Sequence, residues 1–210
     1  MRRTAKKHHV AAPARNKHQV RIIGGQWKRT PLPVLQAESL RPTPDRVRET
    51  VFNWLTHLIS SDWAQIRCLD LFAGSGALGF EAASRGARHV VMLENHAPAV
   101  RRLEISKEKL RAGQVEIQHG DALALLRRWN AHAFDLIFAD PPYHQNWLAQ
   151  IMPACERLLA ERGLVYVESE QPLTGDDAPD WMASWKIVRA DRAGLVFCHL
   201  LQPKNSGSQA

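Results

Sequence analysis

The sequence predicts an α/β fold with an open, mainly parallel sheet, and three observations point there. From Ile66 onward, short apolar runs alternate with segments of helical periodicity, the pattern of strands joined by crossover helices. The stretch Leu69 to Gly79 places Gly74, Gly76 and Gly79 straight after one such run, where a buried strand turns into a helix. The chain then closes on two apolar runs joined only by Asp191-Arg192-Ala193-Gly194, too short a link for a crossover and therefore an antiparallel hairpin.

Each element follows from local chemistry. Residues 1–18 are polar and basic and are expected to be a disordered arm. Residues 19–60 form an N-terminal extension. In it, Val20, Ile22 and Ile23, the Gly24-Gly25 pair, then Trp27 and Leu32 indicate two short strands about a tight turn at the edge of the main domain. Leu40 to Pro44 is extended, because each proline disfavours helix at the residue before it. Asp45 is placed to cap a helix whose apolar face is Val47, Val51, Phe52, Leu55 and Leu58, with Arg46, Arg48 and Glu49 as solvated charge.

Residues 61–202 make the main domain. Its first strand runs from Ile66 to Phe72 with a helix to Arg85; the second covers His89–Glu94, with a helix from Pro98 that stops at Gly113. The third is Val115–Gln118 with a helix over Ala122 to Trp129, and the fourth is Phe134–Ala139 with a helix over Trp147 to Ala160. The fifth is Leu164–Glu168, and the closing hairpin is Trp185–Ala190 with Leu195–Leu201. Residues 203–210 read as a flexible polar tail.

Composition narrows the function classes. The 210 residues are 45% hydrophobic and contain no apolar run of membrane-spanning length, so neither a membrane partner nor a secretory leader is expected. Cys68, Cys155 and Cys198 are odd in number and widely spaced in apolar surroundings, which suits buried thiols in a reducing, cytoplasmic setting and no metal site. The net charge of +7 is uneven: residues 1–29 carry nine Lys or Arg and no acid, leaving 19 bases against 21 acids elsewhere. A cationic arm on a near-neutral domain is the footprint of a phosphate-backbone binder, although a solubilising tail has the same composition.

In an open parallel sheet, ligands bind beyond the carboxyl ends of the strands. The four strands in turn deliver to that edge the turn Phe72-Ala73-Gly74-Ser75-Gly76, Glu94-Asn95, Gly120-Asp121-Ala122, and Asp140-Pro141-Pro142-Tyr143. Glycines let the backbone approach a ligand closely. Glu94 can accept from both hydroxyls of a ribose, and Asp121 can accept from an adenine amine or cap the next helix. The two prolines after the fourth strand remove N–H donors and leave carbonyl acceptors. With Asp140 as acceptor and Tyr143 as stacking surface, that motif suits an exocyclic base amine.

These motifs together resemble the class I S-adenosylmethionine-dependent methyltransferases that modify exocyclic amines. Arg21-Ile22-Ile23-Gly24-Gly25-Gln26-Trp27, Leu40 to Glu49 and Leu69 to Gly76 resemble, more closely, the RsmD-type 16S ribosomal RNA guanine-N2 methyltransferases, over roughly Val20 to Gln202. The resemblance implies a Rossmann-like, seven-stranded sheet with an antiparallel last strand. It implies S-adenosylmethionine across Gly74 to Gly76, ribose at Glu94, adenine near Asp121, and Asp70 near the methionyl end. Thr43 and Arg46 become candidates for closing over cofactor or substrate; the charge of the N-terminal region, not the resemblance, makes Arg15, Lys17, Arg21, Lys28 and Arg29 candidates for RNA contacts. The implied partner is 16S RNA or an assembling small subunit, with the protein a monomer. Three other readings share some motifs: methylation of adenine N6 or of protein glutamine, a nicotinamide-dependent dehydrogenase, and a non-catalytic RNA-binding module.

Overall fold

The computed structural model describes residues 19–34, 44–60, 62–142, 146–175 and 178–204. Strands β1 (Gln19–Arg21) and β2 (Pro31–Pro33) form a separate antiparallel pair, Val20 opposite Leu32. Their connection is the nine-residue loop 22–30 rather than a tight turn, held across its neck by the Ile22 N–H on Thr30 O and the Arg29 N–H on Ile22 O. Helix α1 (Asp45–Leu58) follows and buries Val47, Val51, Phe52 and Leu55, as its periodicity predicts.

Two expectations about α1 fail. Asp45 is not the cap; Pro44 occupies that position without a side-chain hydrogen bond. The Asp45 carboxylate instead takes Arg21 Nε at 2.6 Å and Arg48 Nη2 at 2.7 Å. Arg48 is not solvated, being only 1% exposed, because the β1–β2 unit covers it and accepts from it through Arg21 O.

The main sheet contains β3 (Arg67–Asp70), β4 (His89–Glu94), β5 (Val115–His119), β6 (Phe134–Ala139), β7 (Leu159–Ser169), β8 (Trp185–Ala193) and β9 (Val196–Pro203). The order is β5-β4-β3-β6-β7-β9-β8, parallel through β7, with β9 antiparallel to both neighbours. Thus the seven strands and the inserted antiparallel last strand are present. Helices α2 (Ala77–Ser84), α3 (Ala97–Leu110), α4 (Ala122–Leu126) and α5 (Trp147–Leu158) make the crossovers.

Boundaries differ where backbone geometry overrides composition. β3 ends at Asp70, because Leu71 and Phe72 already enter the turn. Helix α3 ends on Arg111 in the left-handed conformation (φ 52°), not at Gly113, and α4 stops at Leu126 instead of Trp129. β7 begins at Leu159: Phe134 pairs with Leu159 and Leu136 with Leu164, so the polar Ala160–Gly163 insert bulges from a strand that had seemed to start after it. The closing turn shortens to Gly194-Leu195, and the chain stays ordered past Gln202, with the Lys204 N–H on Ser184 O. Residues 1–18 and 205–210 lie outside the described residues.

The core has two layers, one on each face of the sheet. On one face, Ile22 and Trp27 from the N-terminal unit, Phe52 of α1, Phe80 of α2 and Leu103 of α3 pack with Phe138 and Tyr166. On the other, Leu125 of α4 and Ile151 and Leu158 of α5 pack with Ile137 and Val165. Strand order reverses around β3, which has β4 on one side and β6 on the other. An open parallel sheet forms its crevice there.

Candidate active site at the carboxyl edge of the sheet

The turn from β3 to α2 is built by glycines for separable reasons. Gly74 and Gly76 have φ of 50° and 77°, the left-handed region, and Gly76 is the residue preceding α2. Gly79 eases packing: a Cβ there would stand 2.5 Å from Met92 Cε, so a larger residue would require the Met92 side chain to move. The first-turn N–H groups of α2 have no intrahelical carbonyl to take them, and that of Gly79 is taken by Asp70.

Glu94, the last residue of β4, ties this turn in place. Its Oε2 accepts the Gly74 N–H at 2.8 Å and its Oε1 the His96 N–H at 2.8 Å. Each carboxylate oxygen retains a further lone pair for a hydroxyl donor. Asn95 is exposed and its carbonyl accepts from His119 Nε2 at 3.1 Å. Asp121 caps α4, with Oδ1 accepting the Ala124 N–H at 2.9 Å, while Ala122 is buried behind it. Phe72 packs edge-on against Trp147 at 5.4 Å, and the Ala73 N–H donates to Leu93 O.

Beneath the turn lies Asp70, 2% exposed, with Oδ2 accepting the Gly79 N–H at 3.0 Å. Burial pushes its carboxyl up to about 7; the Gly79 and Phe72 N–H groups oppose that shift, and the Glu94 charge adds to it. Asp140 stands just beyond β6. It keeps part of its surface exposed, yet the surrounding protein holds its carboxyl well above the ordinary carboxylate range, with the Glu168 and Asp70 charges adding to the burial. Pro141 is buried and Pro142 half-buried. Glycine turn, Glu94, Asp121 and Asp140 therefore share one edge.

Of the remaining candidates, Tyr143, Thr43, Arg15 and Lys17 lie outside the described residues. Arg46 is exposed near the start of α1. Arg21, Lys28 and Arg29 are exposed on the N-terminal unit, with Arg21 paired to Asp45. Sequence reasoning passed over two buried acids. Glu81, fully buried, takes the Ile23 and Gly24 N–H groups and Arg85 Nε at 2.6, 2.9 and 2.8 Å. Glu168, 2% exposed at the end of β7, takes the Tyr166 hydroxyl at 2.7 Å. An acid ending an otherwise apolar strand was the visible signal for Glu168; a lone acid inside a helix gave none for Glu81. Among the described residues no cluster of three His, Cys, Asp or Glu could hold a metal ion, and no helix is long and apolar enough to cross a membrane.

Sheet order, glycine turn and edge acids define a chain of the class I methyltransferase type. Comparison narrows this further. The family described as Conserved hypothetical protein 95 matches residues 20–202. The chain is 38% identical over 191 residues to ribosomal RNA small subunit methyltransferase D of Escherichia coli strain K12, covering 90% of this chain and 92% of that one. It is 40% identical over 193 residues to the protein of the same name from Haemophilus influenzae, covering 89% and 95%. The solved structure of the Escherichia coli protein yhhF superposes with a TM-score of 0.74 at 38% identity, covering 88% of this chain and 98% of that one. The chain belongs to this family, the RsmD-type methyltransferases.

Proposed function

We propose that this protein transfers a methyl group from S-adenosylmethionine to the exocyclic N2 amine of a guanine in 16S ribosomal RNA. The carrying observation is the emergence of Asp140-Pro141-Pro142 directly from β6, beside β3 and its glycine turn and on the edge where Glu94 and Asp121 also stand. The residues present fit the cofactor. Two left-handed glycines open the turn, a helix start follows it, and Glu94 is held rigidly with accepting capacity to spare. S-adenosylmethionine supplies, when bound, a methyl group activated by a sulfonium.

Guanine N2 is a weak nucleophile because its lone pair is delocalised into the ring. Asp140 and the Pro141 carbonyl accept from the N2 hydrogens, favour a pyramidal nitrogen and hold its lone pair in line with the methyl carbon. Such orientation contributes as much as about 7–11 kcal/mol in favourable cases. Asp140, held above the ordinary carboxylate range, is also basic enough to take the proton that N2 gives up once the N–C bond has formed. Tyr143 supplies a stacking face for a base flipped from its helix, a step that costs roughly a few kcal/mol. Thr43 and Arg46 close over the site, and Arg15, Lys17, Arg21, Lys28 and Arg29 hold the RNA backbone. The protein acts as a cytoplasmic monomer on 16S RNA or the assembling small subunit.

Methylation of another exocyclic or amide nitrogen uses the same Asp-Pro-Pro-Tyr acceptor set and is the alternative. Calorimetric titration with S-adenosylmethionine and NADH, followed by transfer of labelled methyl to 16S RNA and to small subunits, tests the reading. Binding of the first ligand alone, with label in the RNA, is the expected result. NADH binding without S-adenosylmethionine binding would exclude it.

A further inference from the structure

The closing hairpin reaches the same edge of the sheet as the site. Strand β9 is antiparallel to both β7 and β8, so β8 runs in the direction of β6 and β7 and its carboxyl end lies with theirs. Ala139, Val167, His199 and Ala190 stand level across β6, β7, β9 and β8, three strand spacings or about 14 Å from first to last. One step further along, Asp140 leaves β6, while β8 continues through Asp191, Arg192 and Ala193 to the Gly194-Leu195 turn. The hairpin tip therefore stands beside the exit of Asp140-Pro141-Pro142.

An RNA strand whose base enters this edge brings its phosphates along, and the part of the edge at β6 and β7 repels them. Asp140, Glu168 and Glu170 stand there, and residues 140–156 and 163–185 contain no Lys or Arg. The next cations along the chain are on β8. Arg189 and Arg192 are exposed and donate at 2.8 Å to backbone carbonyls, those of Val188 and Gly194; among the described residues neither takes a carboxylate. The Arg192 guanidinium also lies over the Phe197 ring, 4.8 Å from its centroid. Held by both contacts, it meets a phosphate oxygen with little further ordering. Gly194, in the left-handed region with φ 66°, turns the chain so that Leu195 is 81% exposed at the apex. One exposed leucine is ordinary on a protein surface. This one sits on a cationic tip at the substrate edge, where an apolar side chain packs against the face of an unstacked base.

Resting on the RNA methylation reading, we propose that the tip of the β8–β9 hairpin is an RNA-contact surface that holds the strand beside the target guanine. Arg189 and Arg192 bind phosphates, and Leu195 packs against the base of a neighbouring nucleotide. Cations on an edge strand also discourage pairing with another chain through its open backbone. Lys186 separates the two roles. It is an exposed cation on the same strand but is level with Gln202, toward the amino end of β8, so it guards the strand without reaching the RNA.

The test uses the full-length protein with 16S RNA, free and in small subunits from cells lacking this protein. Arg189→Gln and Arg192→Gln combined in one chain should weaken RNA binding several-fold. The slope of log affinity against log salt should fall in magnitude by about 1.4–1.8, two phosphates at about 0.7–0.9 each, with S-adenosylmethionine affinity unchanged. Lys186→Gln should leave the slope at the wild-type value. Cys68, Cys155 and Cys198 are buried, so a photoreactive thiol label on Leu195→Cys marks position 195 alone, and it should cross-link to 16S RNA within a few nucleotides of the methylated guanine. A slope unchanged in the double variant, an equal loss in Lys186→Gln, or a cross-link to a ribosomal protein or a second copy of this chain and not to RNA would overturn the proposal. Wild type that transfers no methyl group to the RNA would instead overturn the function on which the inference rests, a result read separately from binding and cross-linking.

Discussion

Asp70 makes the stability of the fold around the turn from β3 to α2 sensitive to pH. In the unfolded chain an aspartate titrates at about 3.9, whereas the folded carboxyl is pushed up to about 7. Between those values the folded state holds a proton that the unfolded state has lost. Its contribution to stability is therefore complete below about pH 4 and is lost as pH rises through about 7. A shift of this size corresponds to roughly 4 kcal/mol at most. Urea unfolding at pH 5 and pH 8 should show the wild type losing stability at the higher pH and Asp70→Asn losing distinctly less. Equal losses would place the titration elsewhere. Asp140 is raised in the same direction and partly by the Asp70 charge, so the difference between the two proteins also contains the share of the Asp140 shift that Asp70 causes. Glu94→Ala should weaken S-adenosylmethionine binding by roughly 1–3 kcal/mol in calorimetry, as buried hydrogen bonds are lost. Asp140→Ala should slow methyl transfer severely and leave cofactor affinity within a few-fold, because the proposed function places it on the base. Near-normal turnover would move the base site away from β6.

At the scale of elements, the N-terminal unit is held to α2 by polar groups that an amphipathic reading assigns no role. Glu81 and Ser84 take the Ile23, Gly24 and Trp27 N–H groups from a loop 57 or more residues away in sequence. Removing the buried Glu81 carboxylate strands Arg85, so Glu81→Ala should destabilise the protein by about 3–5 kcal/mol. Hydrogen exchange should show the loop amides at 23–27 losing protection before those of β3 and β4, and simultaneous loss would show that the unit and the sheet open together. Strands β4 and β6 match their sequence boundaries residue for residue, because each is built on a four-residue apolar run, 90–93 and 136–139, that is buried throughout. The errors at Asp45, Arg48 and Arg111 share one cause. Each residue's role is set by a partner or by backbone geometry that the chain near it does not encode: Arg21, the covering β1–β2 unit, and the close of α3 before Gly113.

On the scale of the whole molecule, the edge of the sheet was legible and its depth was not. Local sequence placed the glycine turn, Glu94, Asp121 and Asp140 on a common edge, since each follows a strand that is easily read. It gave no sign that Asp140 and Glu168 come at the ends of adjacent strands with Asp70 one step behind them, level with Phe138, because that depends on the pairing of β3, β6 and β7. Charge is also a property of this scale. If about five cations of the N-terminal region neutralise phosphates, log affinity for RNA should fall with log salt at a slope of about −3.5 to −4.5. Deleting residues 1–18 removes six of the nine cations in residues 1–29 and should abolish most of that slope while leaving cofactor binding unchanged. An unaltered slope would assign RNA binding to the folded domain. The central claim is the reaction itself, and mass spectrometry of 16S RNA nucleosides tests it most directly. RNA from cells lacking this protein, treated with the purified protein and S-adenosylmethionine, should gain N2-methylguanosine with wild type and not with Asp140→Ala. A gain of N6-methyladenosine, or no gain in any nucleoside, would contradict the account.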